Sequence, residues 1–273
     1  MLKNDQLDQW DRENFFHPST HLAQFARGEA PNRIITGGEG VYIEDRDGNR
    51  LLDGFAGLYC VNVGYGRTKV TDAIARQAKE LAYYHAYVGH GTEASITLSK
   101  MVIERAPKNM SKVYFGLSGS DANETNIKLV WYYNNVLGRP EKKKIISRWR
   151  GYHGSGLMTG SLTGLGLFHK KFDLPLSNVI HTEAPYYFRR GDVRGEGLLL
   201  AVEFVEDKKL RKLFDPALTM GVKANAALMK RGVISRAMPE GDILGFAPPL
   251  CLSKEEADTI VGAMAETVQD VFS

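Results

Sequence analysis

The chain has 273 residues, of which 43% are hydrophobic, 25% charged and 10% aromatic, a composition typical of a globular protein with a sizeable core. The 35 Lys and Arg residues against 32 Asp and Glu leave a net charge of only +3, which argues against nucleic-acid binding through phosphate neutralisation. The longest apolar stretch, 197–205, is interrupted by Glu203, whereas a membrane span needs about 20 apolar residues, so we expect no membrane partner.

The N-terminal residues and the cysteines indicate a cytoplasmic location. Residues 1–16 are acidic and amphipathic and contain neither the apolar core nor the cleavage site of a secretory signal. Cys60 and Cys251 lie far apart in apolar sequence without a C-x-x-C spacing, which disfavours a disulfide framework or a structural zinc site. The seven His residues are scattered, and no H-E-x-x-H or similar pair predicts a metal site.

The N-terminal part of the chain combines amphipathic helices with a small β-meander. Residues 1–30 carry a helical pattern of apolar residues that Pro18 interrupts. Between 34 and 53 the pattern changes to short strands, and Asp47-Gly48 lies between two apolar runs as the turn of a β-hairpin.

The middle of the chain predicts a parallel sheet covered by helices. Two helices are expected at 70–81 and 93–106. A strand at 112–115, a helix at 122–137 and a strand at 144–147 then follow in the order of a βαβ unit. We therefore expect these two strands to share one parallel sheet.

The last part of the chain lacks this βαβ order and predicts a compact α+β lobe. The expected strands are 198–204, 233–236 and 243–246, and the expected helices are 220–230 and 254–271.

The turn SGSDANE at 118–124, between the predicted strand and its helix, is the first candidate binding site. It directs free backbone N–H groups and the positive end of the helix at one point. Gly119 lets the backbone approach a ligand and Ser120 adds a hydroxyl, so a phosphate is the anion we expect there. The alternative is that Ser120 or Asp121 only caps the helix and that Glu124 completes a capping box.

The turn RGYHG at 150–154 follows the next strand and is the second candidate. It places Tyr152 and His153 at the carboxyl edge of the same sheet, where open α/β sheets bind ligands. A flat ring can stack on Tyr152, or this side chain only covers the edge of the sheet. A phosphate site and an aromatic surface on adjacent strand ends together favour a phosphorylated aromatic cofactor.

Five separated stretches of the chain occur in the order of one known family. They are DGNRLLDGFAGLYCVNVGYGR, VYFGLSGSDANETNIKLVWYYNN, KKKIISRWRGYHGS, GDVRGEGLLLAVEFV and ISRAMPEGDILGFAPPL. These stretches resemble the class III pyridoxal-phosphate-dependent aminotransferases, in particular the ω-transaminases. The resemblance implies pyridoxal 5'-phosphate as cofactor, a homodimer, and transfer of an amino group from an amine or ω-amino acid to a 2-oxo acid such as pyruvate.

The resemblance also implies roles for five residues. Gly119 and Ser120 would hold the cofactor phosphate, and Tyr152 would stack on the pyridine ring. Tyr59 stands where the family places an aromatic residue of the substrate pocket. Arg236 matches the arginine that pairs with a substrate carboxylate, a role that suits its planar fork. Without the family, Arg236 would be interpreted as an exposed arginine at a strand edge.

The family pattern is interrupted between Arg190 and Gly191. The absent part amounts to several βα units of about 30 residues each. By resemblance it carries the aspartate that pairs with the pyridine nitrogen and the lysine that forms the Schiff base. No lysine of this chain stands in a matching motif, and Lys230, for example, is typical of a helix C-terminus. We therefore assign no catalytic residue.

The resemblance implies an α/β architecture of fold type I, with an incomplete large-domain sheet and a small α+β lobe. Residues 1–55 would form the N-terminal part of the small lobe, 56–190 the first part of the cofactor-binding large domain, and 191–273 the C-terminal small domain. The absent units would leave an exposed strand edge and an exposed apolar face.

Two functions from different classes follow. The first is an aminotransferase by descent that is impaired because the segment with the Schiff-base lysine is missing. The second is a non-catalytic subunit or interaction protein that docks on an intact relative through the dimer surface of the family.

Overall fold

The structure, a computed structural model, describes residues 4–184, 198–210, 212–239 and 241–272. Its helices are α1 (Asn4–Asn14), α2 (Leu22–Ala26), α3 (Ala56–Tyr59), α4 (Thr68–Glu80), α5 (Glu93–Ile103), α6 (Gly119–Val136), α7 (Leu157–Leu162), α8 (Met220–Lys230) and α9 (Lys254–Phe272). Its strands are β1 (Ile35–Glu39), β2 (Tyr42–Asp45), β3 (Arg50–Asp53), β4 (Ile145–Arg148), β5 (Val179–Thr182), β6 (Leu200–Glu203), β7 (Val233–Ile234), β8 (Arg236–Ala237) and β9 (Ile243–Phe246). None of the described helices is long and apolar enough to cross a bilayer.

The chain divides into two compact units, and the first contains residues 1–67, 224–236 and 246–273. Its sheet has the strand order β1-β2-β3-β7, in which only the β3–β7 pair is parallel. The β2–β3 hairpin confirms the predicted turn. There the Asp45 carboxylate accepts the N–H groups of Asp47 and Asn49, and Gly48 adopts a φ of +81°.

Strands from both ends of the sequence build the core of this unit. Leu52 of β3 pairs with Val233 of β7, and its N–H donates to the carbonyl of Gly232 at 2.7 Å. Leu52, Val233 and Leu228 of α8 are almost fully buried. The first and last parts of the sequence therefore fold together in this unit.

The second unit contains residues 68–223 and 237–245. The helices predicted in its middle part are confirmed as α4, α5 and α6. β4 and β5 pair in parallel, and a buried cluster from α6, α7 and β5 packs beside them, formed by Ile127, Met158, Leu162 and Val179. The sequence patterns had not indicated α7 or β5.

The predicted strand at 112–115 is wrong. This segment lies outside every described strand, and no backbone group from 111 to 116 is hydrogen-bonded to a described residue. Among the described strands β4 pairs only with β5, so the expected parallel pairing of 112–115 with β4 is absent. A strand needs a ladder of backbone hydrogen bonds to a neighbour, and this segment has none.

In the C-terminal part, the helices at 220–230 and 254–271 and the strand at 243–246 are confirmed. The single strand expected at 233–236 consists of two short strands, β7 and β8, which belong to different sheets. The domain boundary at 55/56 stays a prediction. The boundary at Arg190 and Gly191 lies outside the described residues.

Candidate functional site

The first turn of α6 begins at Ser118. This residue is extended, and its hydroxyl accepts the N–H of Asp121 at 3.2 Å, so it is the N-cap of the helix. The alternative in which Ser120 or Asp121 caps the helix is therefore wrong. The N–H groups of Gly119 and Ser120 donate to no described residue, as expected for the first residues of a helix. Such N–H groups at a helix N-terminus can bind an anion.

Ser120 lies against the loop 150–156 that follows β4. Three hydrogen bonds join the first two turns of α6 to this loop and to α7: from the N–H of Ser155 to Oγ of Ser120 (3.4 Å), from Nδ2 of Asn123 to the carbonyl of His153 (3.0 Å), and from the N–H of Thr159 to Oε1 of Glu124 (3.3 Å). The structure thus brings Ser120 and the loop that carries Tyr152 into direct contact.

Gly154 allows this close approach. Its φ is +131°, and a Cβ atom there would lie 2.4 Å from Oγ of Ser120 and 2.7 Å from Cβ of Thr159. No side chain fits in that space. The sequence analysis did not assign Gly154 a role, because its contact with Ser120 is visible only in three dimensions.

Tyr152 presents its ring to solvent. The side chain is 59% exposed, and its ring meets that of Phe168 edge-on, with centroids 5.6 Å apart. At Gly119, no atom lies within 4 Å of the position that a Cβ would take. The surface around Gly119 and Tyr152 is therefore open, as a bound phosphate and a stacked ring require. We call Gly119, Ser120 and Tyr152 the cofactor group.

The second group of predicted residues belongs to the other compact unit, where β3 leads into α3. α3 is a single left-handed turn, with φ angles of +45°, +53°, +60° and +66° at Ala56, Gly57, Leu58 and Tyr59. This conformation costs L-residues about 1–2 kcal/mol each. Strained backbone of this kind persists only where the surroundings hold it.

The carboxylate of Asp53 holds the turn. Asp53 is only 3% exposed and accepts the N–H of Phe55 at 2.9 Å, the N–H of Gly57 at 2.7 Å and the hydroxyl of Tyr65 at 2.6 Å. Burial, together with the hydrogen bond to Asp53, raises the pKa of Tyr65 well above its ordinary value of 10.0. Tyr65 therefore stays protonated and remains a donor to Asp53.

The turn presents Tyr59 next to Phe55, and Phe55 also faces Arg236. The rings of Phe55 and Tyr59 are 4.5 Å apart, and the guanidinium of Arg236 lies 5.8 Å from the centre of the Phe55 ring. Tyr59 is exposed and Arg236 half-buried, and no carboxylate of a described residue pairs with Arg236. The guanidinium is thus available to an external carboxylate. We call Tyr59 and Arg236 the substrate group.

A further feature of the described ranges is the arrangement of the possible metal ligands and of the cysteines. No group of three or more His, Cys, Asp or Glu side chains in the described ranges is arranged to hold a metal ion. Cys60 and Cys251 are both free thiols.

Comparison with known proteins gives one consistent family. The sequence model described as aminotransferase class-III matches residues 24–190. A diaminobutyrate–2-oxoglutarate transaminase from Halomonas elongata is 34% identical in an alignment of 456 positions, which covers 99% of this chain and 97% of the relative. A putrescine–pyruvate aminotransferase from Pseudomonas aeruginosa is 39% identical over 193 residues, covering 70% of this chain and 42% of the relative.

A solved structure from a study of transaminases evolved by ancestral reconstruction is 37% identical. This solved structure superposes on the present one with a TM-score of 0.95, and the match covers 98% of this chain and 98% of the solved chain. The 456-residue alignment is much longer than this chain, yet it extends over almost the whole Halomonas relative. That relative therefore contains a long internal region without a counterpart here, as the interrupted motif pattern predicted.

Proposed function

The chain belongs to the class III aminotransferases, and we propose that it binds pyridoxal 5'-phosphate and an amino substrate but has lost most of the transaminase activity. The family has the fold of the type I pyridoxal-phosphate-dependent transferases, and its members depend on this cofactor. When bound, the cofactor supplies an electron sink for the substrate carbanion.

One observation carries the cofactor part of the proposal, namely the contact between the first turns of α6 and the loop 150–156. It brings the unused N–H groups of Gly119 and Ser120 near a loop whose Tyr152 ring is exposed. Gly119 and Ser120 would hold the phosphate, and Tyr152 would cover one face of the pyridine ring. These three residues belong to this chain, so a weak and non-covalent binding of the cofactor would not need the internal region.

The substrate group supports a donor or acceptor that carries a carboxylate. Arg236 would bind the carboxylate as a bidentate partner, and Tyr59 would contact the carbon chain. By their names, the relatives described above act on diaminobutyrate and putrescine, and the second uses pyruvate as acceptor. We therefore propose an amine or ω-amino acid as donor and a 2-oxo acid such as pyruvate as acceptor.

The loss of activity follows from the missing lysine. The anchoring lysine of the family also moves the substrate proton, and no lysine of this chain lies in a matching motif. A second copy of the chain lacks the same region, so a homodimer would not supply it. A homodimer and a cytoplasmic location remain part of the proposal.

Cofactor titration tests the binding step. Absorbance titration with pyridoxal 5'-phosphate should show binding weaker by about fivefold to tenfold in Ser120→Ala, which loses one hydrogen bond, and in Tyr152→Leu, which loses the stacking contact. Tyr132→Leu is the matched control, because Tyr132 is an exposed tyrosine on α6 away from the loop. Equal affinity in all three variants would contradict the assignment.

A paired chemical assay tests the catalytic step. Borohydride reduction with the cofactor, followed by peptide mass spectrometry, should find no lysine modified stoichiometrically. Amine-to-pyruvate turnover should be far below that of an intact relative. One fully modified lysine together with turnover like that of the family would show that another lysine has taken over the role.

A further inference from the structure

β4 has one edge without a neighbouring strand. The N–H groups of Ile145 and Trp149 donate to β5 and its flank, at Asn178 and Thr182, both at 2.9 Å. In a parallel ladder alternate residues face the same neighbour, so the backbone groups of Ile146 point away from β5. No described strand pairs with that edge.

One face of the β4–β5 pair is also uncovered. Ile145 packs against the buried cluster, whereas Ile146 points to the other face and is 71% exposed. Ile180 of β5 is exposed as well. Parallel sheets are normally buried on both faces, so this pair has the apolar surface of an interior sheet without the layer that covers it.

The segment 112–117, in the same compact unit, is a second stretch without a strand partner among the described residues. The backbone groups of 111–116 form no hydrogen bond to a described residue, and Tyr114, Phe115 and Leu117 are exposed, Leu117 to 99%. We call these two separate stretches, namely 112–117 and the free edge and bare face of β4 and β5, the open sheet surface. Unpaired backbone beside large apolar side chains is a template for strand addition.

The comparisons indicate what would cover the surface. The Halomonas relative aligns with both ends of this chain and contains an additional internal region, and the evolved transaminase superposes on nearly all of it. We propose that the open sheet surface binds a separate polypeptide that carries the internal region of a class III aminotransferase. This polypeptide adds strands parallel to β4 and covers Ile146. The proposal rests on the family membership and not on the cofactor contacts.

Binding in the absence of cofactor tests the proposal. The probe is the internal region of the Halomonas elongata relative that has no counterpart in this chain, expressed as a separate polypeptide. Native mass spectrometry should show a 1:1 complex, and hydrogen exchange should slow at 112–117 and 145–148. Because the measurement contains no cofactor, its outcome is independent of cofactor binding. The complex can be absent while the chain binds the cofactor, and the complex can form while the chain does not bind the cofactor.

Ile146→Pro is the decisive variant. It removes the N–H at the free edge, while the hydrogen bonds to β5 come from Ile145 and its alternate neighbours and remain. Ile145 is already extended, as a residue before proline must be. Ile146→Val keeps the N–H and is the matched control. The proline variant should bind at least tenfold more weakly than the valine variant.

A second pair, Tyr114→Pro against Tyr114→Phe, applies if Ile146→Pro lowers the melting temperature. If the chain is insoluble alone, soluble 1:1 co-expression with the probe supports the proposal, and insolubility in both cases overturns it. The absence of a complex at about 100 μM also overturns it. The proposal is also overturned if the chain associates only with itself, or if neither proline variant weakens the complex.

Discussion

The tyrosine that donates to Asp53 is the most direct point at which to perturb the left-handed turn. Tyr65→Phe removes only the hydroxyl that lies 2.6 Å from the carboxylate. A hydrogen bond to a charged group contributes about 1.5–3 kcal/mol. We therefore expect the free energy of unfolding to fall by about 2 kcal/mol at neutral pH.

The same arithmetic shows why the turn depends on Asp53. Ala56, Leu58 and Tyr59 are the residues of the turn that have a positive φ without being glycine, and their strain together costs roughly 3–6 kcal/mol. The three hydrogen bonds to Asp53 contribute roughly 4.5–9 kcal/mol if each is charge-assisted. Losing one bond should leave the turn formed, whereas Asp53→Ala removes all three and should release it.

Urea unfolding of Tyr65→Phe at two pH values separates this account from a simple loss of packing. The folded pKa of Tyr65 is raised, so its contribution is fully present below the unfolded pKa near 10 and is lost as the pH rises above that value. The wild type should therefore lose stability between about pH 8 and about pH 10.5 more steeply than Tyr65→Phe. Tyr83→Phe, at an exposed tyrosine, is the control and should match the wild type. Parallel slopes for wild type and Tyr65→Phe would refute the reasoning.

Three other substitutions test separate parts of the structure. Leu228→Ala, at a fully buried residue, should lower the free energy of unfolding by about 2–5 kcal/mol in urea titration, whereas the exposed Leu250→Ala should change it little. Burial raises the pKa of Glu203, whose Oε1 is buried without a hydrogen-bond partner among the described residues. The stability that this group contributes is thus present below its unfolded pKa and is lost as the pH rises through its folded pKa. Glu203→Gln should therefore raise the urea midpoint at neutral pH and leave it unchanged near pH 4; a rise at both would contradict the cause assigned. Arg236→Lys should weaken binding of a carboxylate substrate by about tenfold in calorimetry, because an ammonium cannot form the bidentate pair; unchanged affinity would exclude Arg236 from the site.

Local chemistry explains which elements could be predicted from the sequence. The hairpin at Asp47-Gly48 and the helix α6 follow from signals within a few residues, namely turn-forming and capping residues. The segment 112–115 has the composition of a strand but no neighbour among the described residues, and a strand depends on a partner distant in sequence. α7 and β5 have six and four residues, too few for a periodic pattern to be visible.

The same distinction applies to the candidate site. The neighbouring positions of Ser120 and the loop of Tyr152 were predictable because each follows an apolar run and because the family motif contains both, whereas their roles stay predictions. Gly154 and Asp53 were not, since their roles depend on Ser120, 34 positions away, and on Tyr65, 12 positions away. Such contacts become visible only in three dimensions.

In the proposed function, cofactor recognition depends on residues of this chain, whereas catalysis depends on the region that the chain lacks. The hydrogen bonds that hold the loop 150–156 and α7 against α6 join residues at most 35 positions apart, and none of them involves the absent region. The lysine and the aspartate of the family both belong to that region, as the motif pattern implies. A polypeptide that supplies the region in trans should therefore raise turnover, while cofactor affinity in the complex should still fall in Ser120→Ala. If Ser120→Ala had no effect in the complex, the phosphate would be held by the partner, and the contact between α6 and the loop would be structural only.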